Sequence, residues 1–220
     1  MRVSYLVASL LTGTVAGASF AASITVNNPS FEDAGAGVPS WTSFHAGVYT
    51  PFVPPTYTSI PDGTKIAYLD NAGAYIYQVT AEPLTAGKIY ELSIYIGQRN
   101  DTYQPRTITT IMPQSELPDY LADPFGGSTD HLSFVQVEPE DVLPAEFKKF
   151  TTTFDTTLPA NAALMSQYAG QNLVVTVHQG GNGETDLDLV QFSASEVPEP
   201  ASLALAAPAA MALLRRRRVM

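Results

Sequence analysis

Cysteine is absent from the 220 residues. That excludes disulfides, cysteine-based zinc sites and thiol redox chemistry. Basic residues are scarce: 11 Lys and Arg stand against 21 Asp and Glu, for a net charge of −10. A surface of that sign repels nucleic acid, so no nucleic-acid partner is expected. No helical periodicity persists beyond two turns, and no repeat of about 20 to 50 residues is visible, which excludes helical bundles and solenoids. Also missing are a Gly-x-Ser-x-Gly elbow, a phosphate-cradling glycine loop, a His-Glu-x-x-His pair and an EF-hand loop. The three histidines, His45, His131 and His178, are isolated from one another along the chain. Many carboxylate pairs are conceivable among the acids, but no local pattern selects one. The expectation is a non-catalytic protein.

What is present begins at the two ends. Met1-Arg2, the apolar and small-residue run Val3 to Ala18, and Ser19-Phe20-Ala21 together read as a secretory signal peptide. Residues 1–21 are assigned to it, with cleavage after Ala21 or Ala22. At the other end Val197-Pro198-Glu199-Pro200 precedes an apolar run from Ala201 to Leu214, then Arg215-Arg216-Arg217-Arg218. A 14-residue helix spans about 21 Å, short of the roughly 30 Å hydrocarbon core. The arginines favour the cytoplasmic side, which leaves everything upstream outside. An ordinary C-terminal anchor or a buried helix is the plainer alternative.

This tail, residues 196–220, resembles the PEP-CTERM sorting signal of exported proteins of Gram-negative bacteria. The residues that carry the resemblance are Val197, Pro198, Glu199, Pro200, the apolar run and Arg215, Arg216, Arg217 and Arg218. It implies signal peptidase and an exosortase as processing partners, transient association with the inner membrane, and a final place at the cell surface or outside the cell. Ala22 to Val197 holds 6 basic and 20 acidic residues, so this exported stretch is near −14.

That domain, residues 22–195, reads as all-β. Lys88 to Ile96 alternates cleanly, with Tyr90, Leu92, Ile94 and Ile96 on one face. Phe150, Thr152 and Phe154 share a face in the same way, as do Tyr75 and Tyr77. Further strands are expected at Ser23–Thr25, Lys65–Leu69, before Ile111, at Leu132–Val137, Leu173–Val177 and Leu187–Ser193. Val38 to Trp41 is expected to be extended. Tyr49 to Pro61, with four prolines, is a loop or edge. Met112 to Asp130 reads as a polar insertion. About nine or ten strands separated by turn signals make an antiparallel β-sandwich, of jelly-roll type.

The order of several fragments is similar to the galactose-binding-like jelly roll of carbohydrate-binding modules. They are Asn28-Pro29-Ser30-Phe31-Glu32, Trp41, Asp62-Gly63, Ala67-Tyr68-Leu69, Gln78, Gly87 to Ser93, Gly97-Gln98-Arg99, Gly170 to Leu173 and Asp188-Leu189-Val190. Leu189 departs from the pattern, standing where relatives carry a second polar residue. The resemblance implies a structural calcium ion where first and last strands meet, with Glu32, Asp62 and Asp188 supplying oxygens. The alternative is that these are turn and edge carboxylates.

Aromatic side chains are the feature able to recognise a ligand, because sugar rings stack on exposed Tyr and Trp faces. Tyr49, Tyr57, Tyr75 and Tyr77 are the candidates, while Trp41, Tyr90, Phe150 and Phe154 are expected in the core. The functional expectation is an exported surface or matrix protein associated with exopolysaccharide. The alternative is a carbohydrate-binding module with a defined glycan site, which requires an open patch of coplanar aromatics beside polar groups.

Overall fold

The computed structural model describes residues 21–125 and 130–197. Residues 1–20 of the expected signal peptide and the expected sorting tail from Pro198 onward, including Arg215 to Arg218, lie outside the described residues. Among the described residues no helix is long and apolar enough to cross a membrane.

Eleven strands form two antiparallel sheets. They are β1 (Ala22–Ile24), β2 (Thr42–Phe44), β3 (Ala46–Tyr49), β4 (Ile66–Asp70), β5 (Tyr75–Pro83), β6 (Lys88–Gln98), β7 (Thr107–Pro113), β8 (Ser133–Val137), β9 (Glu146–Asp155), β10 (Asn172–Gln179) and β11 (Glu184–Glu196). One sheet runs β3-β4-β11-β6-β9, with β1 also on β11; the other runs β2-β5-β10-β7-β8. Two short helices, α1 (Leu117–Ala122) and α2 (Ala162–Tyr168), interrupt the strands. The fold is an all-β two-sheet sandwich.

The alternation read in the sequence becomes the core. Tyr90, Leu92, Ile94 and Ile96 on β6 meet Ile76, Ile111, Val175 and Val177 from the opposite sheet, and Trp41 and Phe154 join them. Every residue of this cluster lies between Ile24 and Ala194. Ala21–Glu196 is one compact unit. Among the described residues it has a hydrophobic core of its own, as a domain able to fold by itself does.

Four local expectations change. Val38 to Trp41 turns rather than extends: Ser40 has a φ of 69° and the Trp41 N–H donates to the Val38 carbonyl at 3.0 Å. The strand starts after it, at Thr42. Tyr49 ends a strand instead of standing in the proline-rich loop. The insertion contains α1, which starts on Leu117-Pro118, where the ring occupies a position whose N–H has no helical partner. Finally, the last expected strand runs on past Ser193: Ser195 and Glu196 pair with Ile89 and Lys88.

Candidate functional site

The outer face of the β10-centred sheet carries a band of aromatic rings. Ile76, Val175, Val177 and Ile111 point into the core. Their strand neighbours therefore face outward. Register places Phe44 of β2 opposite Tyr75, Thr42 opposite Tyr77, and His178 of β10 on the other side of Tyr75. The rings are nearly parallel: Phe44 and Tyr75 are 5.7 Å apart at 28°, Tyr75 and Tyr77 6.1 Å at 28°, Tyr75 and His178 5.9 Å at 31°. Phe44 is 49 % exposed, and Tyr75 and Tyr77 are half-buried.

Helix α1 covers the neighbouring part of this face. Leu117 and Tyr120 pack on Met112 and Val174, with Tyr77 and Leu121 against them. The Tyr120 ring stands edge-on to both His131 (5.4 Å) and His178 (5.8 Å). Sequence separation hid this: two histidines 47 residues apart converge on one tyrosine. Burial pushes His178 down to about 4 and lowers His131 as well, so the imidazoles are neutral at pH 7. The Nδ1 atoms of His131 and His178 are buried without a hydrogen-bond partner, and the Tyr120 hydroxyl points to the Thr110 and Thr176 hydroxyls. Below them Thr110 and Thr176 share a hydroxyl hydrogen bond of 2.8 Å.

The other sheet buries an acid. Asp186 lies on β11 opposite Gly97 and Tyr68, and the hydroxyls of Tyr49 and Tyr57 both donate to its Oδ2, Tyr49 at 2.8 Å. Tyr57 rests on Phe147 at 4.6 Å. Phe147 in turn lies on Gly97, where a Cβ would come 2.5 Å from its ring. Arg99 holds Glu184 at 2.9 Å and Asp101 through two bonds of 2.9 Å beside this cluster. Burial pushes Asp186 up to about 8, against the hydrogen bonds from Tyr57 and Tyr49, so it carries a proton at neutral pH. Its Oδ1 is buried without a partner.

A family model described as HpiC1-like, HpiC1 cyclase, matches residues 22–193. The chain belongs to the HpiC1-like family. No curated protein matches it. Among solved structures this HpiC1-like chain is similar to the CBM22-1 xylan-binding domain of Paenibacillus barcinonensis Xyn10C. Identity is 12 %, the TM-score 0.45, and the match covers 81 % of this chain and 96 % of that one. A structure titled for CBM4 structure and function gives 15 % identity and a TM-score of 0.42, over 77 % of this chain and 99 % of that one. A cleaved adhesin domain of Lys-gingipain from Porphyromonas gingivalis gives 14 % and 0.42, over 80 % and 98 %.

Within this HpiC1-like domain the four candidate tyrosines divide. Tyr75 and Tyr77 lie on the aromatic face. Tyr49 and Tyr57 do not: Tyr57 is fully buried and both hydroxyls are committed to Asp186. Tyr57 was expected to offer its ring to a ligand, but its part of the proline-rich loop folds inward and its hydroxyl donates to the buried Asp186 carboxyl.

Glu32, Asp62 and Asp188 do meet at one corner. The Asp62 N–H donates to Asp188 Oδ2 at 2.8 Å, and the Leu189 N–H donates to Oδ1 at 2.7 Å. Leu189 has a φ of 47° at the bulge in β11, so its place in the pattern is a backbone turn. Glu32 accepts from the N–H groups of Thr64 (2.7 Å) and Lys65 (2.6 Å) and from the Thr64 hydroxyl (3.1 Å). Burial opposes ionisation of Glu32, but the Lys65 and Thr64 N–H groups outweigh it and hold the carboxyl below its usual range. Asp188 is pushed up to about 7, by burial first and by the Asp62 and Glu32 charges in addition. The carboxylates face N–H donors, and calcium needs six to eight oxygens with free lone pairs. Among the described residues no three acidic or histidine side chains are grouped to hold a metal ion. As arranged, the corner is a hydrogen-bonded latch and does not fit a calcium cage.

Proposed function

We propose that this protein is an exported, non-catalytic glycan-binding protein that uses the Phe44–Tyr75–Tyr77 face. The aromatic row carries the reading: three successive rings, each inclined 28° to the next, with Phe44 well exposed and the phenolic hydroxyls beside it. Such a row offers stacking area to successive sugar rings, and the hydroxyls orient them. In this reading the sandwich is a jelly roll of the galactose-binding-like type. The signal peptide exports it, and the tail directs an exosortase to release it at the surface of a Gram-negative cell, where exopolysaccharide is the partner. The test is affinity electrophoresis of the Ala21–Glu196 unit against a polysaccharide panel. Retardation by at least one polymer, weakened tenfold or more by Phe44→Ala or Tyr75→Ala, supports it; retardation that survives both substitutions removes it.

A second reading is favoured by Asp186. The family description names a cyclase, and a carboxyl that is still protonated at pH 7 has the character of a general acid. It requires the loop carrying Tyr57 to lift. Hydrogen exchange tests that: amides of residues 52–58 as protected as those of β6 would leave the acid sealed and remove this reading.

A further inference from the structure

At one end of the sandwich a cleft of about 360 Å³ opens between Tyr103, Arg106, Glu138 and Gly180 to Asn182. Its size suits a small ring. Arg106, just before β7, is exposed and its guanidinium lies 4.4 Å from the centre of the Phe125 ring. The domain has six basic residues. Five are engaged: Lys65 with the Glu32 carbonyl, Lys88 with Glu82, Arg99 with Asp101 and Glu184, Lys148 with the Asp141 carbonyl, Lys149 with Gln191. Of these six, all among the described residues, Arg106 alone makes no side-chain hydrogen bond or ion pair. With 20 acids in the same domain, an unclaimed guanidinium is conspicuous.

A chain of ring contacts links the cleft to the aromatic face. Phe125, under Arg106, stands edge-on to His178 at 5.6 Å, and His178 flanks Tyr75. Gly180 is what lets Phe125 approach: a Cβ there would meet its ring at 2.5 Å. The one acid in the lining is already occupied. Glu138 accepts from the Gln136 amide and from the backbone of its own turn. Between Tyr103 and Pro105, Gln104 is fully buried with both amide atoms unpartnered. Tyr103 itself is 62 % exposed.

We infer that this cleft is a subsite for an acidic sugar, a uronate whose carboxylate pairs with Arg106. The inference rests on the glycan-binding reading and names its substrate class. A guanidinium stacked on an aromatic ring presents its fork of donors in a fixed plane, which matches a carboxylate with two parallel hydrogen bonds. The exposed Tyr103 ring gives the sugar a face to lie against. Repulsion from the acidic domain is screened beyond about 8 Å at 0.15 M salt, so the local pair decides.

The experiment is isothermal titration of the Ala21–Glu196 unit at 0.15 M salt with polygalacturonate, alginate and glucuronoxylan, each beside its carboxyl-reduced form. At least one acidic polymer is expected to bind tenfold or more tighter than its reduced counterpart. Arg106→Gln should erase that preference and retain the weaker binding of the reduced form; Arg106→Lys should restore only part. An unchanged melting temperature certifies the fold of these surface variants. Equal binding of acidic and reduced forms, or a preference that survives Arg106→Gln, overturns the uronate subsite and leaves the aromatic face standing. Failure of every pair to bind overturns both.

Discussion

Asp186→Asn should change how stability depends on pH, and in a direction opposite to the loss expected from breaking an ion pair. Asp186 titrates at about 8 in the folded chain against a reference of 3.8. Below pH 4 both states are protonated there, and the native state keeps its full stability. As pH rises from 4 to 8 the unfolded chain ionises while the buried carboxyl does not, so stability falls. The slope is about 1.4 kcal/mol per pH unit, on the order of 5 kcal/mol across the window. Asparagine has no proton to lose, and its oxygen can still accept from Tyr49 and Tyr57. Its amide nitrogen would face the buried, unpartnered Oδ1 position, costing about 1 to 3 kcal/mol. The variant should therefore be no more stable than wild type at pH 4 and clearly more stable at pH 8. Asp188, also raised, titrates in both proteins and drops out of the difference. Urea unfolding of the Ala21–Glu196 unit at five pH values measures it. A difference that stays flat with pH, with the variant uniformly weaker, would mean that the carboxylate is ionised in place, and the argument from burial fails.

Three other outcomes follow from the geometry. Gly63 has a φ of 60° and faces the Glu32 carboxylate, so Gly63→Ala should displace the latch and lower stability by about 1 to 3 kcal/mol, read in denaturant midpoints. Because the Glu32, Asp62 and Asp188 oxygens already serve N–H and O–H donors, melting in calcium and in chelator should give the same midpoint; a clear rise with calcium would show that the latch reopens around the ion. Glu199→Ala should leave export intact but block removal of the tail, so that cell fractionation finds full-length protein in the inner membrane of a host carrying an exosortase; a wild-type secreted product that keeps Met220 refutes the sorting reading.

Strands with one buried face were legible because alternation is a direct imprint of burial, as in Tyr90 to Ile96 and Phe150 to Phe154. The pairing of Tyr75 with Tyr77 came from the same rule. Short strands such as β3, with four residues and a glycine, leave no such imprint. The site was less legible. Phe44 joins the row only through register between β2 and β5, and the partners of Asp186 lie 129 and 137 residues away in sequence. An acid that keeps its proton looks like any other acid in a chain with 21 of them.

Strand β11 occupies the middle of its sheet, with β6 along one side and β4 and β1 sharing the other. Among the described residues it is the last strand in chain order, and it joins Ala194 to Ala22. Until it arrives the sheet has a gap at its centre, and β4 and β6 have no common neighbour. Contacts of such sequence separation form late and slowly, after the loop-closure entropy has been met. Of the strands described, this one leaves the ribosome last. The sheet therefore stays open at its centre until this thirteen-residue strand is free to pair, and β11 acts as the closing stitch.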